Sequence, residues 1–208
     1  DGSVVTWCFG HLLEQAEPDA YLPDDVPRTK KGSKVWRFED LPIYPKNWKL
    51  LPKNDKGVKK QLATIGKLLK KASLVVHAGD PDREGQLLVD EVLEHFRYTG
   101  RVQRFWVSAQ DSASIRKGLT NLRDNETFDG MRLAALGRSR ADWLLGMNLS
   151  RAYTLARQAQ GKKELIAVGR VQTSTLALVA KRDVAIRDFK PVPYFVIKAR
   201  LGGGKPFT

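Results

Sequence analysis

Three carboxylates stand at alternate positions in residues 80–85, whose order is Asp-Pro-Asp-Arg-Glu-Gly. Carboxylates this close repel one another, so keeping all of them ionised requires a compensating positive charge. A hard divalent cation supplies that charge, and Mg²⁺ typically takes one or two protein carboxylates while keeping water for a phosphate ligand. The alternative is an acidic helix start, which the helix dipole stabilises by about 0.3–1 kcal/mol per charge. The spacing therefore predicts either a Mg²⁺ site or a favourable helix N-terminus, built from Asp80, Asp82 and Glu84.

A second set of residues has the chemistry to bind nucleic acid. In a helix predicted over 128–159, about 100° per residue places Arg151 about 80° from Trp143 and Arg157 about 40° from it on the other side. One aromatic ring and two guanidinium groups on one face suit single-stranded DNA, whose bases stack on rings while arginines pair with phosphates. The same spacing fits a Trp packed in the core beside solvated arginines. Helical geometry alone leaves both interpretations open.

A third candidate site opens the next predicted helix, which covers 171–187. A glycine lets the backbone approach a ligand closely, the free N–H groups of a first helical turn face outward, and an arginine adds positive charge. These features favour an anion, although glycine at a loop-to-helix junction is common. The residues of this candidate site are Ala167, Val168, Gly169, Arg170, Val171 and Gln172.

The elements around the acidic stretch predict a parallel sheet with helices on its faces. Residues 74–78 form a short continuous apolar run, typical of a central parallel strand, and hand over directly to a helix. Ligands of α/β proteins lie at this carboxyl edge of the sheet. The other predicted elements are strands at 4–9 and 102–107, a helix at 58–72, a helix through Phe96, and a helix capped by Ser112 or Ser114 that ends at Leu122. Residues 17–57 have no sustained period and predict an extended surface excursion.

Charge divides the chain into two parts. The net charge of +13 predicts a polyanionic partner, nucleic acid before an anionic membrane. Residues 1–130 hold 21 basic and 19 acidic side chains, whereas residues 131–208 hold 15 basic and 4 acidic ones. The two parts are therefore expected to have different functions. A strand is predicted over 194–201, near the end of the basic part.

Several classes of site are not indicated by the sequence. The single cysteine, Cys8, cannot form an internal disulfide and fits a small buried apolar residue. The histidines His11, His77 and His95 lack the spacing of a shared metal site, so structural or solvated roles are expected. The sequence has no glycine-rich Walker loop, no CxxC pair, no membrane span and no secretion signal, so we expect neither ATP hydrolysis nor a zinc finger, and a cytoplasmic protein.

Three blocks of sequence, at 5–14, 77–88 and 168–173, resemble bacterial DNA topoisomerase III, a family of type IA topoisomerases, in order and spacing. The middle block resembles the DxDxE motif of the Toprim fold. The resemblance implies an α/β Toprim domain, Rossmann-like and lacking its first strand, at 1–130, a mostly helical DNA-binding domain at 131–190 and the start of a β-rich arch domain at 191–208. It implies Mg²⁺ at Asp80 and Asp82, with Glu84 as a further carboxylate and possible acidic helper. By the same resemblance the DNA-contacting positions are Trp36, Trp143, Arg151, Arg157 and the segment 167–172.

The activity implied by the resemblance is that of an isomerase: ATP-independent breakage, passage and rejoining of single DNA strands, which relaxes negative supercoils and decatenates DNA. The family's nucleophilic tyrosine falls beyond Thr208 and its first Glu-Lys pair before Asp1, so this chain alone is expected to be inactive. A monomer is also expected. A bacterial cytoplasmic protein associated with the nucleoid or a plasmid is expected. The alternatives are a Toprim primase or nuclease, which would not be expected to carry the 168–173 block, and a non-catalytic module that binds single-stranded DNA.

Overall fold

The first elements of the chain are two short antiparallel strands, β1 (Leu13–Gln15) and β2 (Leu50–Pro52), in the computed structural model, which describes residues 2–199. Helix α1 (Lys56–Leu69) follows and begins at Asp55, whose side chain accepts a hydrogen bond from the Val58 N–H. The helix predicted over 58–72 is confirmed by α1. Its apolar side chains pack with those around β1 into the main core cluster, which contains Leu12, Leu13, Val58, Leu62, Ile65 and Val92.

A three-stranded sheet carries the acidic stretch. Strand β3 (Leu74–His77) pairs in parallel with β4 (Arg101–Arg104), and β4 pairs antiparallel with β5 (Arg123–Asp124). Helix α2 (Arg83–His95) connects β3 to β4, and α3 (Ser112–Thr120) connects β4 to β5. The predicted alternation of strands and helices is therefore confirmed for this part of the chain.

The basic part is helical, as predicted. Helix α4 (Asp129–Ala159) runs for 31 residues without a break at Gly137 or Gly146 and packs against α2. Helix α5 (Arg170–Arg187) belongs to a second compact unit, because the contacts of the chain divide between Gly169 and Arg170. This division does not coincide with the predicted boundary at residue 130, and the domain assignment stays a prediction. No helix among residues 2–199 has the length and apolar character that a membrane span requires.

Three predictions about strands are wrong. Residues 4–9 lie outside any helix or strand, and the side chains of Val5 and Trp7 are 87% and 65% exposed. Strand β3 is not central, since within residues 2–199 its only sheet neighbour is β4. The strand predicted over 194–201 is not formed over 194–198, and residues 200 and 201 lie outside the described part. Apolar, β-branched composition suits a strand, but a strand also needs a hydrogen-bonded neighbour, which composition does not reveal.

Two further predictions need correction. Helix α3 is capped by Asp111, whose Oδ1 accepts hydrogen bonds from the N–H groups of Ala113 and Ser114 at 3.1 and 3.0 Å, and not by a serine. Residues 17–57 are largely irregular and mostly exposed, as expected, but a few of their side chains are buried. Ile43 is 4% exposed, and its backbone N–H and carbonyl both bond to the Asn148 side chain on α4.

Candidate functional site

The acidic stretch forms a tight turn between β3 and α2. The Oδ1 atom of Asp82 accepts a hydrogen bond from the Gly85 N–H at 2.7 Å and so caps α2. The helix-start interpretation therefore holds for Asp82, and its second carboxylate oxygen is not used by the cap. The side chains of Asp80, Asp82 and Glu84 are all exposed at the carboxyl end of β3, where water or a cation can reach them.

Two glycines let the turn close on itself. A Cβ added to Gly79 would lie 2.5 Å from the backbone oxygen of Gly85. A Cβ added to Gly85 would lie 2.5 and 2.6 Å from the backbone oxygen and nitrogen of Asp80. Side chains do not fit at either position because backbone atoms, which cannot swing aside, occupy the space. The close approach of residues 79–80 to residue 85 brings the acidic side chains to one end of α2.

His77 fastens the turn from inside the protein. The side chain is almost wholly buried, and its Nδ1 accepts the Gly79 N–H at 3.2 Å while Nε2 lies 3.1 Å from the Gln86 carbonyl oxygen. This pattern requires the neutral ring with its proton on Nε2. Burial, followed by the charge of Arg104, lowers the pKa of His77, which favours the same neutral form. His77 therefore joins the two sides of the acidic turn and has a structural role, as the sequence predicted for the histidines.

Arg104, at the end of β4, is fully buried beneath the turn. Its guanidinium group donates to four backbone carbonyl oxygens at 2.6–3.0 Å and to the side-chain oxygen of Gln86 at 2.8 Å. Three of the four carbonyls belong to the end of β3 and the turn, so one side chain fixes the path of the backbone that bears Asp80. The four carbonyl acceptors are those of His77, Gly79, Asp80 and Phe105.

The buried network continues toward α4. The Gln86 amide donates to Asp90 at 2.8 Å and to Asn125 at 2.9 Å, and Asn125 donates in turn to the second oxygen of Asp90 at 2.9 Å. Burial lowers the pKa of Arg104 to about 10, which leaves the guanidinium charged at neutral pH, while Asp90 opposes the shift. The turn is therefore supported by a buried cation whose charge is balanced by a buried carboxylate. Sequence analysis did not identify Arg104, because a charged residue in a strand is usually on the surface.

The acidic side chains fit an open cation site rather than a closed cage. Among residues 2–199, no three His, Cys, Asp or Glu side chains lie close enough together to hold a metal ion. Mg²⁺ needs only one or two protein carboxylates and keeps its other positions for water and phosphate. Asp80, together with the uncommitted oxygen of Asp82, satisfies that modest requirement, so the residues present fit Mg²⁺ as part of its ligand set.

His11 bonds to Glu91, a residue of α2, and sequence analysis did not predict this contact. Its Nδ1 lies 2.8 Å from Oε1 of Glu91, a carboxylate that is 7% exposed. The hydrogen bond to Glu91 raises the pKa of His11, and burial opposes the shift. Burial also raises the pKa of the nearby Cys8 thiol to about 11, which agrees with the expected apolar role of this residue.

Two residues predicted to contact DNA are buried in the protein interior. Trp143 is 7% exposed, donates its Nε1–H to the Ala16 carbonyl at 3.1 Å, and has edge contacts with the rings of Tyr21 and Trp48. Arg151 is 6% exposed and lies 3.2 Å from the Asp19 carboxylate. These contacts favour the alternative that the helix geometry left open, in which the Trp belongs to the core. A role of either residue in DNA binding stays a prediction.

The other predicted contacts on this face are more accessible. Trp36 is half-buried, and the Arg151 guanidinium carbon lies 4.8 Å from the centroid of its ring. This contact joins the irregular segment 17–57 to α4. Arg157 lies 3.1 Å from Glu164, and their side chains are 35% and 60% exposed. An exposed pair of this kind is worth little, so a phosphate can displace the carboxylate. Arg157 is the arginine of this face that is available to a polyanion.

The first half of the third candidate site lies in the first compact unit and the rest in the second. Residues 165–169 lie outside any helix or strand and run beside α4. Ser150 bonds to both the N–H and the carbonyl of Val168, and Thr154 to those of Ile166, which is the pattern of an extended chain. Ala167 is exposed, and α5 begins at Arg170 as the sequence predicted.

Comparison with known families divides the chain between two of them. Residues 1–109 match the Toprim domain family, and residues 126–208 match the DNA topoisomerase family. The first match contains the acidic turn, His77 and Arg104, and the second contains α4 and α5.

Similar proteins are known in several bacteria. DNA topoisomerase 3 of Vibrio cholerae is 48% identical over 205 residues, which are 97% of this chain and 30% of that protein. DNA topoisomerase 3 of Bacillus subtilis is 36% identical over 208 residues, which are 98% of this chain and 26% of that protein. The full-length topoisomerase I of Thermotoga maritima is similar in structure, with a TM-score of 0.55, 25% identity, and coverage of 88% of this chain and 26% of that one. The chain thus spans less than a third of the length of these relatives.

Proposed function

Because the chain belongs to the Toprim domain family through residues 1–109, and residues 126–208 match the DNA topoisomerase family, we propose that it contributes to a type IA topoisomerase reaction. That reaction breaks, passes and rejoins single DNA strands without ATP. The observation that carries the proposal is the acidic turn, whose exposed carboxylates are mounted on a fully buried guanidinium group.

The acidic turn would hold the DNA during breakage and rejoining. Asp80 and Asp82 are the proposed Mg²⁺ ligands, and Glu84 is a further acid at the same helix end. Bound Mg²⁺ would supply positive charge to a phosphate group. His77 and Arg104 keep the turn in one conformation, so the carboxylates need little rearrangement to meet the DNA, and positioning of this kind lowers a reaction barrier.

The basic part would bind the DNA strand. Fifteen basic and four acidic side chains over residues 131–208 give an electrostatic attraction that does not depend on sequence. Arg157, Arg170 and the backbone of residues 167–172 are the proposed phosphate contacts, and Trp36 is a further proposed contact. Trp143 and Arg151 are buried in the first compact unit, where the Arg151 guanidinium group lies against the Trp36 ring. Single-stranded DNA as the main partner, a monomeric state and an association with the nucleoid or a plasmid in the cytoplasm are parts of the same proposal.

A chimeric enzyme tests the proposal directly. This chain replaces the matching 30% of Vibrio cholerae DNA topoisomerase 3, and relaxation of negatively supercoiled plasmid is measured with Mg²⁺ and without ATP. We expect relaxation by the chimera, and its loss in the Asp80→Asn, Asp82→Asn double variant. Glu94→Gln is the matched control, since Glu94 is an exposed acid on the same helix, 75% exposed and away from the turn. A chimera that binds DNA and melts like the natural enzyme but relaxes nothing would contradict the proposal, as would an active double variant.

A further inference from the structure

Two hydroxyl groups on α4 hold the extended segment 165–169 along the helix. The Ser150 hydroxyl accepts the Val168 N–H at 2.9 Å and donates to the Val168 carbonyl at 3.2 Å. One turn further on, the Thr154 hydroxyl accepts the Ile166 N–H at 2.9 Å and reaches the Ile166 carbonyl at 3.5 Å. Each hydroxyl thus serves both backbone groups of one residue, as a neighbouring strand would.

This use of the hydroxyls is unlike their ordinary one in a helix. Serine and threonine inside helices usually bond to the carbonyl four residues earlier, as Thr64 does on α1 with the Lys60 carbonyl at 3.0 Å. On α4 the two hydroxyls turn outward to another segment instead. Gly146 continues the same row of the helix, and a Cβ added there would lie 3.5 Å from the Val168 carbonyl oxygen. The row of small residues therefore lets the extended segment lie close against α4.

The hydroxyl pairs fix which residues of the segment face solvent. Ile166 and Val168, which bond to the hydroxyls, are half-buried, whereas Leu165 and Ala167 between them are exposed. In an extended chain, alternate backbone N–H groups point to opposite sides. The Ala167 N–H lies between two N–H groups that bond to α4, so this alternation directs it to the opposite side. Within residues 2–199 it has no hydrogen-bond partner, and Ala167 is exposed.

We infer that Ser150 and Thr154 are positioning residues that hold residues 165–169 in the register that presents the Ala167 N–H to a phosphate of single-stranded nucleic acid. Backbone N–H groups are regular phosphate donors in protein–nucleic acid complexes. The inference rests on the proposed function and goes further by assigning the register of the contact to two residues that do not touch the ligand. A slip of one residue along α4 turns Ala167 inward and removes the donor.

The test uses the whole chain and a labelled oligothymidylate. The Ser150→Ala, Thr154→Val double variant removes both hydroxyls, and Ser150→Ala alone is a milder version in case the double variant melts early. The double variant is expected to bind the oligonucleotide about three- to tenfold more weakly, with a log–log salt slope that hardly changes, because a neutral backbone N–H releases no counterion when it meets a phosphate. Amide hydrogen exchange at Ile166 and Val168 should accelerate at the same time.

Two controls separate positioning from general damage. Serine at position 154 keeps the hydroxyl, so the Ser150→Ala, Thr154→Ser variant should match Ser150→Ala alone in affinity and in amide exchange. Thr64→Val makes the same change where the hydroxyl bonds to its own helix, and it should leave binding unchanged. Failure of Thr154→Ser to rescue would overturn the inference, because the hydroxyl would then not be the cause.

The outcomes also separate this inference from the proposed function. Faster exchange at Ile166 and Val168 with parental affinity would overturn the inference. The proposed function would stand in that case if the parent binds and Arg170→Ala weakens binding. A parent chain that does not bind the oligonucleotide, or an Arg170→Ala variant that binds like the parent, would overturn both.

Discussion

The acidic turn and the extended segment 165–169 are both held in place by side chains that bond to their backbone groups. The chemistry of those side chains differs. A buried charge and a buried imidazole support the turn, whereas two neutral hydroxyls support the segment. Breaking a buried ionic arrangement leaves unsatisfied polar groups and costs several kcal/mol, whereas a neutral hydrogen bond contributes about 1 kcal/mol. The turn should therefore be the stiffer of the two, as suits carboxylates that must meet a phosphate in one geometry. The segment is held in register by weaker bonds.

Substitution of Arg104 tests the stiffer region and should have the largest effect. Arg104→Met keeps the apolar stem but removes the guanidinium donor from four carbonyl oxygens and from the Gln86 side chain. The His77 and Asp80 carbonyls keep the N–H groups of Phe105 and Asp82 as donors. The free energy of unfolding in urea is expected to fall by about 3–5 kcal/mol. Arg101→Met, an exposed change on the same strand, should cost well under 1 kcal/mol. Similar small losses for both variants would mean that the turn does not depend on the buried guanidinium.

Trp143→Phe tests the interior assignment in the basic part. The change keeps an aromatic ring but removes the donor to the Ala16 carbonyl, so a loss of about 1–3 kcal/mol is expected in the free energy of unfolding. Binding of an oligonucleotide by the folded variant should be unchanged. Trp7→Phe, on a side chain that is 65% exposed, serves as the control. Clearly weaker binding at parental stability would return Trp143 to the DNA-contacting set.

The pKa values of His11 and His77 are shifted in opposite directions, so the two residues should have smaller, opposite effects on how stability depends on pH. The pKa of His11 is raised in the folded chain, so the stability it contributes is present below about pH 6.5 and is lost as the pH rises through the raised value. The difference in unfolding free energy between the parent and His11→Gln should shrink from pH 6 to pH 8, by no more than about 1 kcal/mol because His11 is partly exposed. A difference that grows over this range would contradict the pairing with Glu91.

His77 acts in the other direction. Its pKa is lowered, so its contribution is present above about pH 6.5 and is lost as the pH falls through the lowered value. The His11→Gln variant removes the opposing effect of His11, so its free energy of unfolding should fall on acidification. Urea titrations at pH 7.5, 6.5 and 5.5 would measure this decrease. Stability that does not fall below pH 6.5 would indicate that His77 accepts a proton freely in the folded chain.

Features that depend on periodic spacing or on a short run of residues could be predicted from the sequence. Helices α1, α2 and α4 follow from apolar residues at helical spacing, and the acidic turn follows from its composition after an apolar run. The strand at 4–9 failed because composition does not supply a neighbouring strand. Trp143 and Arg151 lie on one helix, α4, as predicted. Helical spacing could not predict that residues from the irregular segment 17–57 cover their side chains. Arg104, Ser150 and Thr154 act through backbone groups distant in sequence, which no local pattern reveals.

A Mg²⁺ titration of the chain, followed by backbone amide chemical shifts, tests the central claim that the supported turn is a cation site. Amides of residues 79–85 should shift first and at the lowest Mg²⁺ concentration, with weak affinity, since few carboxylates are available. Asp80→Asn should abolish these shifts and Glu94→Gln should not. Shifts spread evenly over the acidic surface, or none in residues 79–85, would contradict the account.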